Sequence, residues 1–164
     1  QKIYTESVKE AYMDDTGKIQ NEGEESKKLY IFLQNNIMKA YAFHYEAYGL
    51  WSWVKGYFAL ENDGKTVQGI TVYEHAETPG LGGECEKAWF QDQFKGKKII
   101  NRRGKFVSVG VVKGKVKDYY SGTQTENYVD GMSGATITSK GIEKYLKETI
   151  AVYEPFSKKL RGRK

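Results

Sequence analysis

The sequence predicts an α+β fold, a twisted antiparallel sheet with a few flanking helices and one helix near the C-terminus. Three observations predict it. β-Rich runs come in neighbouring pairs divided by turn signals, the pattern of hairpins and not of βαβ crossovers. One long apolar face at helical spacing occupies the end of the chain. The composition supplies large side chains for a core, with 14% aromatic residues in 164, including 13 Tyr, 7 Phe and 3 Trp. A single domain of this length buries about two-thirds of its unfolded surface.

Taken in order, residues 1–28 are polar and charged, with Asp14-Asp15 and Glu22-Gly23-Glu24-Glu25 as solvated stretches, and read as a peripheral segment with room for a short strand or helix. Leu29 to Leu33 is rich in strand formers, Asn35-Asn36 is a turn signal, and Ile37 to Tyr45 resumes an extended pattern, so the pair reads as a hairpin. Gly56 to Leu60 and Thr66 to Tyr73 form a second pair around Asn62-Asp63-Gly64. Lys87 to Phe94 reads as a short helix and Phe106 to Val112 as a Val-rich strand. In the last element Ile142, Tyr145, Leu146, Ile150 and Tyr153 recur at helical spacing, Thr138 or Ser139 stands ready to cap the start, and Pro155 is expected to end it. The organisation is then a peripheral segment over 1–28, one domain over 29–153, and a basic tail over 154–164.

Cys85 is the only cysteine, which excludes an internal disulfide and any Cys-based zinc or iron–sulfur site. With His44 and His75 as the only histidines, no metal site is expected. No run of 18 apolar residues is present, so no membrane span is expected within the sequence, and the non-Met start at Gln1 reads as a processing boundary. The net charge of +5 is unevenly distributed: residues 1–90 carry 9 basic and 14 acidic side chains, a net −5, and residues 91–164 carry 17 and 7, a net +10. A basic second half suits a nucleic acid, an anionic membrane or a phosphate-bearing ligand, or is simply a solvated Lys-rich surface. The basic residues are scattered with no Arg-rich recognition helix, so nucleic acid is not an expected partner.

Two segments are not explained by core formation. Glu77-Thr78-Pro79-Gly80-Leu81-Gly82-Gly83 follows a strand, and its glycines permit a sharp turn and a close approach to a planar or anionic ligand. A purely structural Gly/Pro loop has the same composition. No P-loop lysine follows the glycines, so a nucleoside triphosphate site is not supported. Asp130-Gly131-Met132-Ser133-Gly134-Ala135-Thr136-Ile137-Thr138-Ser139 stands just before the last helix, where outward-pointing N–H groups suit a phosphate. The same hydroxyls equally suit capping of the helix itself. No His–Asp pair lies near them to activate a nucleophile, and no catalytic residue is assigned.

Asp130 to Thr136 matches the pattern D-G-x-[S/T]-G-A-T, the flavinylation motif of the FMN-binding domain family. Three further segments agree in order and spacing: Gly49-Leu50-Trp51-Ser52 with Gly56 to Leu60, Gly69 to His75, and Glu77 to Gly82. Over residues 29–153 the chain resembles that family, and within it the C subunits of the bacterial sodium-translocating NADH:quinone oxidoreductases. The resemblance implies FMN joined through a phosphoester to Thr136 by a separate flavin transferase, with Ser133, Thr138 and backbone N–H groups holding the phosphate. It implies that Gly134 and Ala135 keep the approach open, and that Asp130 is a recognition signal for the transferase or a local cap. For the isoalloxazine ring it implies Trp51 and Leu81 as a wall, Thr78 as an edge hydrogen bond, and Glu77, Gly80 and Gly82 as the loop, with Glu77 either fixing that loop or touching flavin. His75, Lys113 and Lys115 receive no role, and Cys85 reads as a partly buried structural thiol.

The implied function is electron relay within a sodium-pumping, membrane-bound NADH:quinone oxidoreductase. The partners are its other subunits, and the isolated domain is not a complete enzyme because no NADH site is recognisable. The family places the domain on the periplasmic side of the inner membrane, anchored by a single helix that precedes it. The rival readings are the homologous G subunits of the ion-translocating ferredoxin:NAD oxidoreductases and a non-redox binding module with an unused motif. Gly49 to Ser52 and Leu81 to Glu84 favour the first reading, and the intact Thr136 argues against an unused motif.

Overall fold

A computed structural model describes residues 5–163. Gln1 and the three residues after it, and Lys164 at the end of the expected tail, lie outside the described residues. Six strands form one sheet: β1 (Glu6–Met13), β2 (Ile19–Gln20), β3 (Lys27–Gln34), β4 (Ile37–Tyr48), β5 (Trp53–Glu61) and β6 (Val67–Glu74), in the order β2-β1-β3-β4-β5-β6. Every pairing is antiparallel. The expected α+β architecture is the observed one. Asn35 and Asn36 both take left-handed φ, 51° and 62°, in the two-residue turn that joins β3 to β4. In the second hairpin the Asp63 carboxylate accepts the Lys65 and Thr66 N–H groups and the Thr66 hydroxyl.

Between β6 and the C-terminal helix run the short helix α1 (Ala88–Gln91), several 3₁₀ turns, and the parallel pair β7 (Gly110–Val111) and β8 (Tyr128–Val129). The 26-residue helix α2 (Thr136–Arg161) lies across β4 and closes the core. Tyr41, Phe43, Tyr45 and Ala47 alternate along β4 toward it, as a half-buried antiparallel strand requires. Phe43 stacks on Tyr153 with centroids 4.0 Å apart, and the Tyr153 hydroxyl donates to the Lys28 carbonyl. Gly141 lets the helix approach the end of β4 closely: a Cβ there would stand 2.0 Å from the Tyr48 carbonyl oxygen. That approach places the first turn of α2 beside the Gly49–Ser52 segment.

Four expectations are corrected. The segment before residue 29 is not merely peripheral, because β1 pairs along its whole length with β3 and Met13 enters the core. The strand expected over 106–112 shrinks to β7: the Val107 and Ser108 N–H groups both donate to the Ile99 carbonyl, and Ser108 turns at a φ of 65°, which breaks the ladder. Pro155 does not end α2. It cannot donate to the preceding turn, yet burial of Phe156, Ser157 and Leu160 carries the helix six residues further. Tyr41 hydrogen-bonds Ser157 at 2.6 Å, and Arg161 pairs with Glu154 and donates to the Gly64 carbonyl. Residues 154–161 are therefore structure and not tail. Cys85, expected to be partly buried, is fully buried, and burial pushes its thiol up to about 12.

Candidate FMN site

The segment Asp130–Thr136 forms the turn that feeds α2. Gly131 approaches the Val112 carbonyl so closely that a Cβ would stand 2.1 Å from its oxygen, and its N–H donates to the Gly114 carbonyl. Met132 is buried as a peg, and Gly134 turns at a φ of 70° with Leu81 against it. Helix α2 then begins at Thr136, so its N-cap position falls three residues before Thr138, the first of the two expected caps. Ala135 is its N-cap, and no side chain among the described residues caps its first turn. The hydroxyls expected to cap it are committed elsewhere: Ser139 accepts the Met132 N–H, and Thr138 donates to Glu77.

Thr136 is exposed and lines a cavity of about 500 Å³ with Gly80, Glu84, Trp89, Lys113, Lys115 and Lys140 among its walls. That volume falls within the range of small-molecule sites. Ser133 and Gly134 share the cavity, so the structure brings four residues singled out in the sequence, Gly80, Ser133, Gly134 and Thr136, around one space. Lys115 is 3.1 Å from Asp130, and Lys140 donates to the Val111 carbonyl and to Glu143. Asp130 also accepts the Val116 N–H at 2.8 Å. Burial alone would raise the Asp130 carboxyl; the Val116 N–H and Lys115 outweigh it and hold the group below its ordinary value. Asp130 thus caps the 116–118 turn and ties the lysine loop to the motif.

Glu77 organises the other side. Its carboxylate is only 4% exposed and accepts the N–H groups of Leu50, Trp51 and Ser52, the Ser52 hydroxyl, and the Thr138 hydroxyl at 2.7 Å. Burial works to raise this carboxyl, but the Thr138 hydroxyl and the three N–H groups together hold it below its ordinary value. Gly49 and Gly82 cradle it, since a Cβ at either would stand 2.6 Å from a carboxylate oxygen. Thr138, expected to hold phosphate, is 1% exposed with its hydroxyl turned to Glu77, so it faces away from the cavity that Thr136 lines. Ala135 is buried and takes no part in the open approach.

The Thr78 carbonyl accepts the Leu81 and Gly83 N–H groups and shapes the glycine loop, while its side chain is exposed. The Trp51 ring is 66% exposed, beside the Glu77 cluster and not on the cavity wall. His75 accepts the Glu77 N–H through Nδ1, which leaves Nε2 to meet Glu86. Sequence reasoning did not assign Lys113, Lys115, Lys140, Glu84 or Trp89 to the site. In sequence Lys113 and Lys115 stand out only as basic residues able to offset flavin or phosphate charge, and charge is spread too widely along the chain to place them, or Lys140, at the cavity. Among the described residues no group of three His, Cys, Asp or Glu is arranged to hold a metal ion, and no helix is long and apolar enough to cross a membrane.

Comparison with known proteins bears on this geometry. Residues 49–151 match the FMN-binding domain family. The chain is 40% identical over 115 residues to the C subunit of the Na(+)-translocating NADH-quinone reductase of Yersinia pestis, covering 69% of this chain and 41% of that protein. Its counterpart in Vibrio vulnificus is 47% identical over 95 residues, covering 58% of this chain and 35% of that protein. The chain thus spans less than half the length of these curated relatives. The crystal structure of the Na(+)-translocating NADH-quinone reductase C subunit from Parabacteroides distasonis superposes with a TM-score of 0.78 at 31% identity, over 91% of this chain and 77% of that one. Shewanella oneidensis NqrC does so with 0.80 at 26% identity, over 96% and 85%. The matched span contains both the glycine loop and the turn before α2, and the chain belongs to the FMN-binding domain family.

Proposed function

We propose that this chain carries FMN joined by a phosphoester to Thr136 and relays electrons within a Na(+)-translocating NADH:quinone reductase. A flavin transferase attaches the cofactor, and the other subunits of the complex are the partners. The complex sits in the inner membrane with this domain on the periplasmic side. The observation that carries the reading is the placement of Thr136: exposed, at the uncapped first turn of α2, on a cavity that also holds three lysines. Esterification at the Thr136 oxygen leaves one negative charge on the phosphate. The first-turn N–H groups, the helix dipole, Ser133, Lys113 and Lys115 are the groups placed to hold it. Bound FMN supplies the redox chemistry, and the protein supplies position and field. Leu81, partly exposed in the glycine loop and against Gly134, is the nearer apolar surface for a ring, and Trp51, exposed outside the cavity beside the Glu77 cluster, is the second. Covalent attachment removes dissociation from the cycle and raises the effective concentration at the site to about millimolar or more.

The test is intact mass after co-expression with the flavin transferase and export to the periplasm. The expected gain is one FMN less one water for the wild type and none for Thr136→Ala. An unmodified wild type, with the transferase shown to be active on another substrate, overturns the reading.

A further inference from the structure

We infer that Glu77 is a positioning residue that couples the acceptor end of α2 to the Gly49–Ser52 segment, and so sets where Trp51 stands relative to Thr136. The inference rests on the reading of Thr136 as the flavin acceptor. Oε1 of Glu77 accepts from Trp51 N–H at 2.9 Å, Ser52 N–H at 2.8 Å and the Ser52 hydroxyl at 3.2 Å. Oε2 accepts from Leu50 N–H at 3.2 Å and the Thr138 hydroxyl at 2.7 Å. A carboxylate has about four lone-pair sites, so five donors saturate it and none is left for a ligand. Its role is therefore exerted through the segments it joins.

Those segments are far apart in sequence; they pack together at Gly141 and Tyr48, and Glu77 is the side chain that hydrogen-bonds both. Thr138 is two residues beyond Thr136 in the first turn of α2, and its bond to Glu77 spans 61 positions. Ser52 closes the cluster from the other side, since its hydroxyl also accepts the Ala76 N–H at 2.8 Å. Ala135, the N-cap, has no side chain able to cap, and Thr138 fastens the first turn to the Trp51 segment through Glu77, so the helix is anchored there with the N–H groups around Thr136 uncapped. Gly49 and Gly82 confine the carboxylate from both faces, which leaves it no alternative position to relax into.

Amide hydrogen exchange on the flavin-free 164-residue chain tests the coupling without any cofactor. Thr138→Val removes the hydroxyl and keeps the shape. The expected result is exchange about tenfold faster at the Leu50, Trp51 and Ser52 amides, as loss of a charge-assisted hydrogen bond implies, with Thr138→Ser restoring the wild-type rate. On the flavinylated chain, Thr138→Val should raise flavin emission toward that of Trp51→Ala, because Trp51 no longer stands where it quenches the ring. Exchange at residues 50–52 that is unmoved by Thr138→Val, or not restored by Thr138→Ser, overturns the inference. Thr138→Ala replaces the valine variant if that one does not fold. A wild type that takes no FMN defeats the proposed function alone, because the exchange result still decides the coupling.

Discussion

The two ends of α2 obey opposite rules. At the C-terminal end the backbone is locally disfavoured, with Pro155 inside the helix, and packing overrides it: Phe156, Ser157 and Leu160 are buried, Ser157 hydrogen-bonds Tyr41 of the sheet, and Arg161 donates to the second hairpin. At the N-terminal end the local sequence is rich in groups able to cap the helix, and the fold turns them elsewhere, so the first turn opens on a cavity with its donors uncapped. A structural end satisfies itself through neighbours, while an uncapped end keeps donors available to an anion.

The sharpest way to break this contrast is Thr136→Ala. It should abolish the FMN mass gain while changing unfolding free energy by less than about 0.5 kcal/mol, because the side chain is exposed. Urea unfolding of the two chains checks the second half. Phe156→Ala tests the opposite end: the lost burial and the cavity left behind should cost about 3–5 kcal/mol, with FMN attachment to the folded fraction unchanged by intact mass. Pro155→Ala should stabilise the chain by about 2 kcal/mol in the same urea experiment, since the helix gains an N–H and propensity, less a smaller loss from a freer unfolded chain. If it destabilises instead, the packing of the Pro155 ring outweighs its cost to the helix.

The smallest effect is acid sensitivity at the N-terminal end. Glu77 and Asp130 have folded-state values lowered below their ordinary ones. Their contributions are therefore complete above the unfolded values and are lost as pH falls through the folded values. Glu77→Gln should lower stability at neutral pH and flatten the acid limb below the ordinary glutamate value of 4.5, as measured by urea midpoints across that range. An unchanged acid limb would assign that sensitivity to other carboxylates.

Some of the molecule is readable one residue at a time. Asn35-Asn36 and Asn62-Asp63-Gly64 are turn signals because their residues tolerate or stabilise turn geometry locally, and both hairpins stand where those signals place them. The helical spacing from Ile142 to Tyr153 is equally local, and Ile142, Leu146, Ile150 and Tyr153 are buried. The Asp130–Thr136 motif is contiguous, so the proposal for Thr136 needs no fold to be framed. By contrast, residues 1–28 are so polar that nothing local marks β1 as a strand flanked by β2 and β3. The Val-rich run from Phe106 reads as a strand by propensity, and its break at Ser108 follows from two N–H groups competing for one distant carbonyl.

By itself, then, the sequence determined the hairpins, the long helix, the Asp130–Thr136 motif and the glycine loop, because turn dihedrals, helical periodicity and a contiguous motif are properties of neighbours along the chain. Only the tertiary structure decided that α2 runs past Pro155, that Thr138 serves Glu77 and not the helix end, that Asp130 holds the 116–118 turn, and that three lysines share a cavity with Thr136. Each of those outcomes depends on a hydrogen bond, an ion pair or a burial between residues remote in sequence, and such contacts exist only once the sheet has brought their partners together.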